Sequence, residues 1–129
     1  MLSFNNQYNE IGIKFAKSYY EKMSQNVISA LTLFDNNVIL NIDDDHLSGS
    51  LNWLLKMSNT QIYRFNYYDI TGVCQPLSNS DILISIQGKL QFIKYNDYYS
   101  PLLRFNETFI IGRQYDHYTI KNLILKTNT

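Results

Sequence analysis

The chain is poor in the features that most readily announce a function. It has a single cysteine, Cys74, so no internal disulfide can form. No Cys/His spacing suits a metal ion, and no metal or other cofactor is expected. Lys+Arg and Asp+Glu both number 11, so the net charge is zero and no basic field exists to hold phosphates. Nucleic acid is therefore not expected as a direct partner. No apolar run approaches the roughly 20 residues of a membrane span, and no membrane partner is expected. The first residues lack a basic stretch followed by an apolar run, so a soluble, intracellular chain is expected. Without a secretory signal, the sequon Asn106–Thr108 reads as incidental. Glycine-rich phosphate loops, G-x-S-x-G and H-E-x-x-H are all missing. No linker, internal repeat or low-complexity tail interrupts residues 1–129, which read as one domain.

What is present is a globular composition, 45% hydrophobic, with 11 tyrosines and 7 phenylalanines. In "EIGIKFAKSYYEKM" (Glu10–Met23), Ile11, Phe15, Tyr19 and Met23 recur every four residues, with Gly12 and Ala16 as small neighbours. This spacing predicts a helix with Tyr19 in the core and Tyr20 leaning aside, its hydroxyl towards water. A second helix is predicted over 26–34 and a short strand over 38–42, closed by an acidic turn at Asp43–Asp45. A third helix follows, with Ser50 as N-cap.

From Gln61 the period changes to two. Ile82, Ile84 and Ile86 alternate with Leu83, Ser85 and Gln87 up to Gly88, where a bulge or bend is expected. In "LLRFNETFII", Phe105, Glu107, Phe109 and Ile111 share one side. Helices followed by a meander of strands define an α+β fold, with helices on one face of a bent antiparallel sheet.

Individual residues offer little chemistry. His46 and His117 read as exposed, Cys74 as a structural thiol and Trp53 as a packed aromatic. Asp43–Asp45 lacks the alternating oxygen ligands of a calcium loop. The tyrosines of 63–68 and 95–99 suit a protein–protein surface.

Taken in order, "QYNEIGIKFAKSYYEKM", "HLSGS", "CQPLSNSDILISIQGKLQF" and "RFNETFII" resemble the nuclear transport factor 2 family over about residues 8–126. The resemblance implies a cone-shaped fold, three N-terminal helices packed on a strongly bent sheet. It implies a non-enzymatic, dimeric adaptor of nucleocytoplasmic transport, in cytoplasm, nucleus and the pores between them. Tyr8 stands where the import carrier has an aromatic for FG-repeat nucleoporins. Ile42 and Asp43 stand at its aromatic–acid pair, at the mouth of the cavity that receives GDP-bound Ran. Ile42 loses the aromatic, and Asp97 alone brings negative charge to the later loop. These departures weigh against Ran binding more than against the fold.

The patterns Tyr19–Met23, Cys74–Pro76, Gly88–Phe92 and Phe105–Phe109 also resemble the small subunit of the mRNA export receptor. That implies a heterodimer rather than a homodimer. A third possibility is an enzyme or ligand carrier using the cone cavity. It requires a deep pocket containing a carboxyl group of raised pKa.

Overall fold

The i, i+4 stripe of the first segment forms α1 (Tyr8–Gln25), with Glu10 in its first turn and Lys22 in its last, both favourable to the helix dipole. The helix stops at Asn26, whose backbone is extended. The Asn26 side chain then accepts from the Ile28 N–H and so starts a 3-10 helix, Val27–Leu33. In the computed structural model, which describes residues 6–128, there follow β1 (Phe34–Ile42), β2 (Asp45–Ser48) and α2 (Ser50–Thr60). The chain ends in four long strands, β3 (Ile62–Pro76), β4 (Asp81–Lys94), β5 (Leu103–Gln114) and β6 (His117–Asn128).

The strands form one sheet in the order β2-β1-β6-β5-β4-β3. The expected antiparallel meander is β3 to β6. β1 joins β6 in parallel, Leu40 beside Leu123, so the sheet as a whole is mixed. Helices cover one face, and the core lies between them and the inward side chains Ile82, Ile84, Phe105, Phe109, Ile111 and Leu123. The architecture is α+β and cone-shaped.

Local differences from the sequence expectation have physical causes. The predicted second helix is 3-10 rather than α, and the strand after it starts at Phe34, four residues early. Phe34 is buried against the Trp53 ring, 4.6 Å between centroids, while the exposed Asn36 and Asn37 conceal the strand's beginning. β2 has no buried residue and thus no apolar alternation to betray it. Ser50 is not the N-cap of α2. Gly49 holds that place at φ 93°, no side chain caps the helix, and Ser50 is buried in the first turn.

Two glycines set close approaches. A Cβ on Gly88 would lie 2.9 Å from the Tyr68 carbonyl oxygen and 3.2 Å from that of Asp69. In the bulge, Asp69 and Ile70 of β3, between Tyr68 and Thr71, stand against Gly88 alone, with Asp69 at φ 54°. The expected bend is therefore a bulge in the neighbouring strand, which Gly88 admits. A Cβ on Gly12 would sit 2.5 Å from Cys74 Sγ, so α1 meets β3 with no room for a methyl group.

Gly12→Ala is expected to destabilise the fold by about 1–3 kcal/mol, because overpacking exceeds the helix propensity gained. In a Cys74→Ala background the same change is expected to be neutral or stabilising. Urea unfolding of the four proteins of this cycle measures the coupling, and additive effects would refute the contact.

Candidate functional site

β5 carries an acid in the middle of its inward stripe. Glu107 stands between Phe105 and Phe109, opposite Ile86 of β4 and Leu125 of β6, and is only 3% exposed. Burying a carboxylate without partners is costly. Here α1 supplies them. Tyr20 donates its hydroxyl to Glu107 Oε1 at 2.8 Å, and Tyr19 donates to Oε2 at 3.3 Å. The adjacent tyrosines converge on one carboxyl from its two sides, their rings in edge contact at 5.0 Å. The expectation that the Tyr20 hydroxyl faces water is thus corrected.

Tyr67 of β3 completes the group. Its ring meets Tyr20 at 4.7 Å and Phe105 at 5.7 Å. Among the described residues its hydroxyl has no hydrogen-bond partner. Burial, and then the charge of Glu107, hold the hydroxyls of Tyr19, Tyr20 and Tyr67 well above the ordinary phenol range. All three remain protonated donors. Burial pushes Glu107 up to about 7, against the opposing pull of its two tyrosine hydrogen bonds. This acid changes charge near neutrality.

Glu107, Tyr19 and Tyr67 face a cavity of about 440 Å³. Its walls are apolar and adaptable: Met23, Trp53, Met57, Phe65, Leu90 and Leu123 among them. Polar groups recur only towards the mouth, at Asp43, Asp44, Asp45, Lys56, Thr60, Lys94 and Thr127. Lys56 is ion-paired with Asp45. An apolar chamber with a few convergent polar groups and one perturbed acid is the usual form of a small-molecule site.

The sequence-predicted residues are only partly brought together. Ile42 and Asp43 both line the cavity. Asp43, at φ 51°, directs its carboxylate to β6, accepting from Thr127 N–H at 2.7 Å and Thr127 Oγ1 at 2.9 Å. Asp97 lies in the exposed β4–β5 loop, outside the cavity lining. Tyr8 begins α1 and is half-buried against the core. His46 is exposed beside Asn41, and His117 is exposed beside Asp116. Cys74 is half-buried, and burial raises its thiol pKa, away from reactivity. Trp53 is packed as expected and also lines the cavity. No cluster of metal-ligating side chains exists among the described residues. Glu107 was missed as a site residue, although an acid within an inward-facing apolar stripe was its signal.

The whole architecture recurs in solved structures. Nuclear transport factor 2 from Cryptosporidium parvum superposes with a TM-score of 0.84 at 22% identity, covering 99% of this chain and 100% of that one. The chain has the nuclear transport factor 2-like fold. A hexachlorocyclohexane dehydrochlorinase is similar at a TM-score of 0.72 and 10% identity, covering 93% of this chain and 85% of the enzyme. The yeast Ubp3-associated protein Bre5 follows at 0.70 and 18%, with 92% and 95% covered. No family profile and no curated protein sequence matches the chain. Because enzymes share this fold, the expectation of a non-enzymatic chain is corrected. That expectation rested on the resemblance, which took no account of the buried Glu107 and the tyrosines around it.

Wild-type stability is expected to fall as pH rises from about 4.5 to about 7. In that window the folded chain holds a proton on Glu107 that the unfolded chain has released. At roughly 1.4 kcal/mol per pH unit, the loss amounts to about 3 kcal/mol. Glu107→Gln removes this component, so the variant gains on the wild type between pH 5 and pH 8. Parallel curves for the two proteins in chemical denaturation would contradict the raised pKa.

Proposed function

We propose that the cone binds a small, mainly apolar molecule and that Glu107 exchanges a proton with it. The observation that carries this reading is a cavity-facing carboxyl, buried and held by two tyrosines, with a pKa of about 7. A base of that pKa is half ionised at neutral pH, where a general acid–base group works best. Tyr20 and Tyr19 fix the carboxyl from α1, and the partnerless Tyr67 hydroxyl is a donor for a substrate oxygen. An acid and a neutral phenol in an apolar chamber suit proton removal beside a carbonyl: Glu107 takes the proton, and Tyr67 hydrogen-bonds the developing oxyanion. Isomerisations and eliminations begin with that step.

A ketone with an acidic α-carbon, such as tetralone, tests it by solvent deuterium exchange followed by NMR. Wild type is expected to accelerate exchange with a rate that rises through about pH 7. Glu107→Gln should lose about 100-fold or more, and Tyr67→Phe about 10-fold, within the range of single acid–base and oxyanion groups. Equal rates for wild type and Glu107→Gln would refute the reading.

A second reading is favoured by the opposite face of the sheet. Register aligns Val73, Ser85, Thr108 and Ile124 in one row, and Gln75, Leu83, Ile110, Asn122 and Ile39 in the next. No charge interrupts either row, and Val73, Ile124 and Ile39 are exposed. Such a face suits packing of a second copy or a related domain. With the full-length likeness to the Cryptosporidium protein, it supports an adaptor of nucleocytoplasmic transport that binds FG-repeat nucleoporins and GDP-bound Ran. Homodimers would serve import, and a heterodimer mRNA export. Asp43 could meet a cargo cation only by giving up Thr127. Light scattering is expected to find a dimer that Ile124→Lys dissociates without unfolding. A strict monomer at micromolar concentration would exclude this second reading.

A further inference from the structure

Two cations line the cavity, and they differ in their partners. Lys56 of α2 is ion-paired with Asp45. Lys94, the last residue of β4, has no acid within ion-pair distance among the described residues. Its Nζ lies over two aromatic faces, 6.0 Å from the Phe92 centroid and 5.7 Å from that of Tyr98. The start of the β4–β5 loop fixes it there: the Lys94 N–H bonds the Tyr98 carbonyl at 2.9 Å, and its own carbonyl accepts from Asp97 N–H at 3.0 Å. The ring faces stabilise the cation without neutralising it.

The other charges at the mouth do not serve Lys94. Asp43 is committed to Thr127 and Asp45 to Lys56. Asp44 is exposed on the β1–β2 turn and makes no ion pair with Lys94. Asp97, in the same loop as Lys94, is exposed and makes no ion pair with it.

Resting on the cavity as a small-molecule site, we propose that its ligand is an amphipathic anion. Its apolar body lies between Trp53, Phe65 and Phe92, and its carboxylate or sulfonate sits at the rim on Lys94. The polarity has one direction only. Glu107 at depth carries negative charge above neutrality and repels an anion, so the charged end stays at the mouth and a neutral oxygen goes inward. Phe92 belongs to both halves of the argument, as cavity wall and as the ring beneath the Lys94 ammonium.

Matched fluorescent probes test the assignment: an anilinonaphthalene sulfonate and the same anilinonaphthalene without the sulfonate. Wild type is expected to bind the sulfonate about tenfold more tightly than the neutral probe, as suits a charge-assisted contact. Added salt should narrow the difference. Lys94→Met should abolish the preference while leaving neutral-probe affinity within about twofold, which also shows that the variant is folded. If the neutral probe binds and the sulfonate is not preferred, or if Lys94→Met leaves the preference intact, the anion assignment is overturned and the cavity stands. If neither probe binds, the cavity reading and the anion assignment fall together.

Discussion

The hydrogen bonds from two neighbouring tyrosines to one buried carboxyl are the contact around which the inner face is organised. Consecutive residues of a helix project about 100° apart, so they rarely share a target. Tyr19 and Tyr20 share one because Glu107 rises from β5 beneath the helix and offers an oxygen to each. Both rings then pack on the sheet, Tyr19 on Phe109 and Tyr20 on Tyr67 and Phe105. A slide of α1 by one residue would strand the acid among apolar groups, at the cost of an unsatisfied buried polar group. The interaction therefore fixes the helix register on the sheet as well as the protonation behaviour of the site.

The space in front of this cluster exists because the sheet is not flat. The bulge at Tyr68–Thr71 passes over Gly88, where any side chain would collide with its carbonyl oxygens. At one end of the cone, Gly12 lets α1 approach Cys74 closely. Towards the mouth, the walls are α2 and the ends of β1, β4 and β6. Close contact on one side and separation on the other make a chamber that is shut behind Tyr19 and open beside Asp43 and Lys94.

Much of this was legible in the sequence. The four-residue stripe of α1 and the alternation of Ile82, Ile84 and Ile86 follow from burial of one face, which a sequence pattern records directly. The parallel pairing of β1 with β6 is a non-local choice, and no residue near Val38 encodes it. β2 was hidden because nothing in it is buried. For the site, Ile42 and Asp43 were placed at the mouth from resemblance alone. The convergence of Tyr19, Tyr20 and Tyr67 on Glu107 joins positions 88, 87 and 40 residues away in the chain, and local spacing carries no record of it. Glu107 itself was visible as the one charged residue in the stripe from Phe105 to Ile111. Its meaning depended on whether a cavity or a sealed core lay in front of it.

That position also separates what this fold can do from what this chain can do. An amide there would satisfy the same tyrosines with no charge to bury. The carboxyl costs stability once it ionises, and the apolar walls that raise its pKa make that cost larger. A group that weakens the fold at neutral pH has no packing advantage over its uncharged isostere. Its advantage lies in the proton it can hold or release near pH 7 at the edge of an apolar chamber, and sites that trade stability in this way are characteristically functional. The same argument separates the two faces of the sheet. The outer rows offer a neutral surface that any partner of matching shape could cover, whereas the inner face offers one buried carboxyl among the described residues, in a confined space, which is a chemical rather than a geometric specificity.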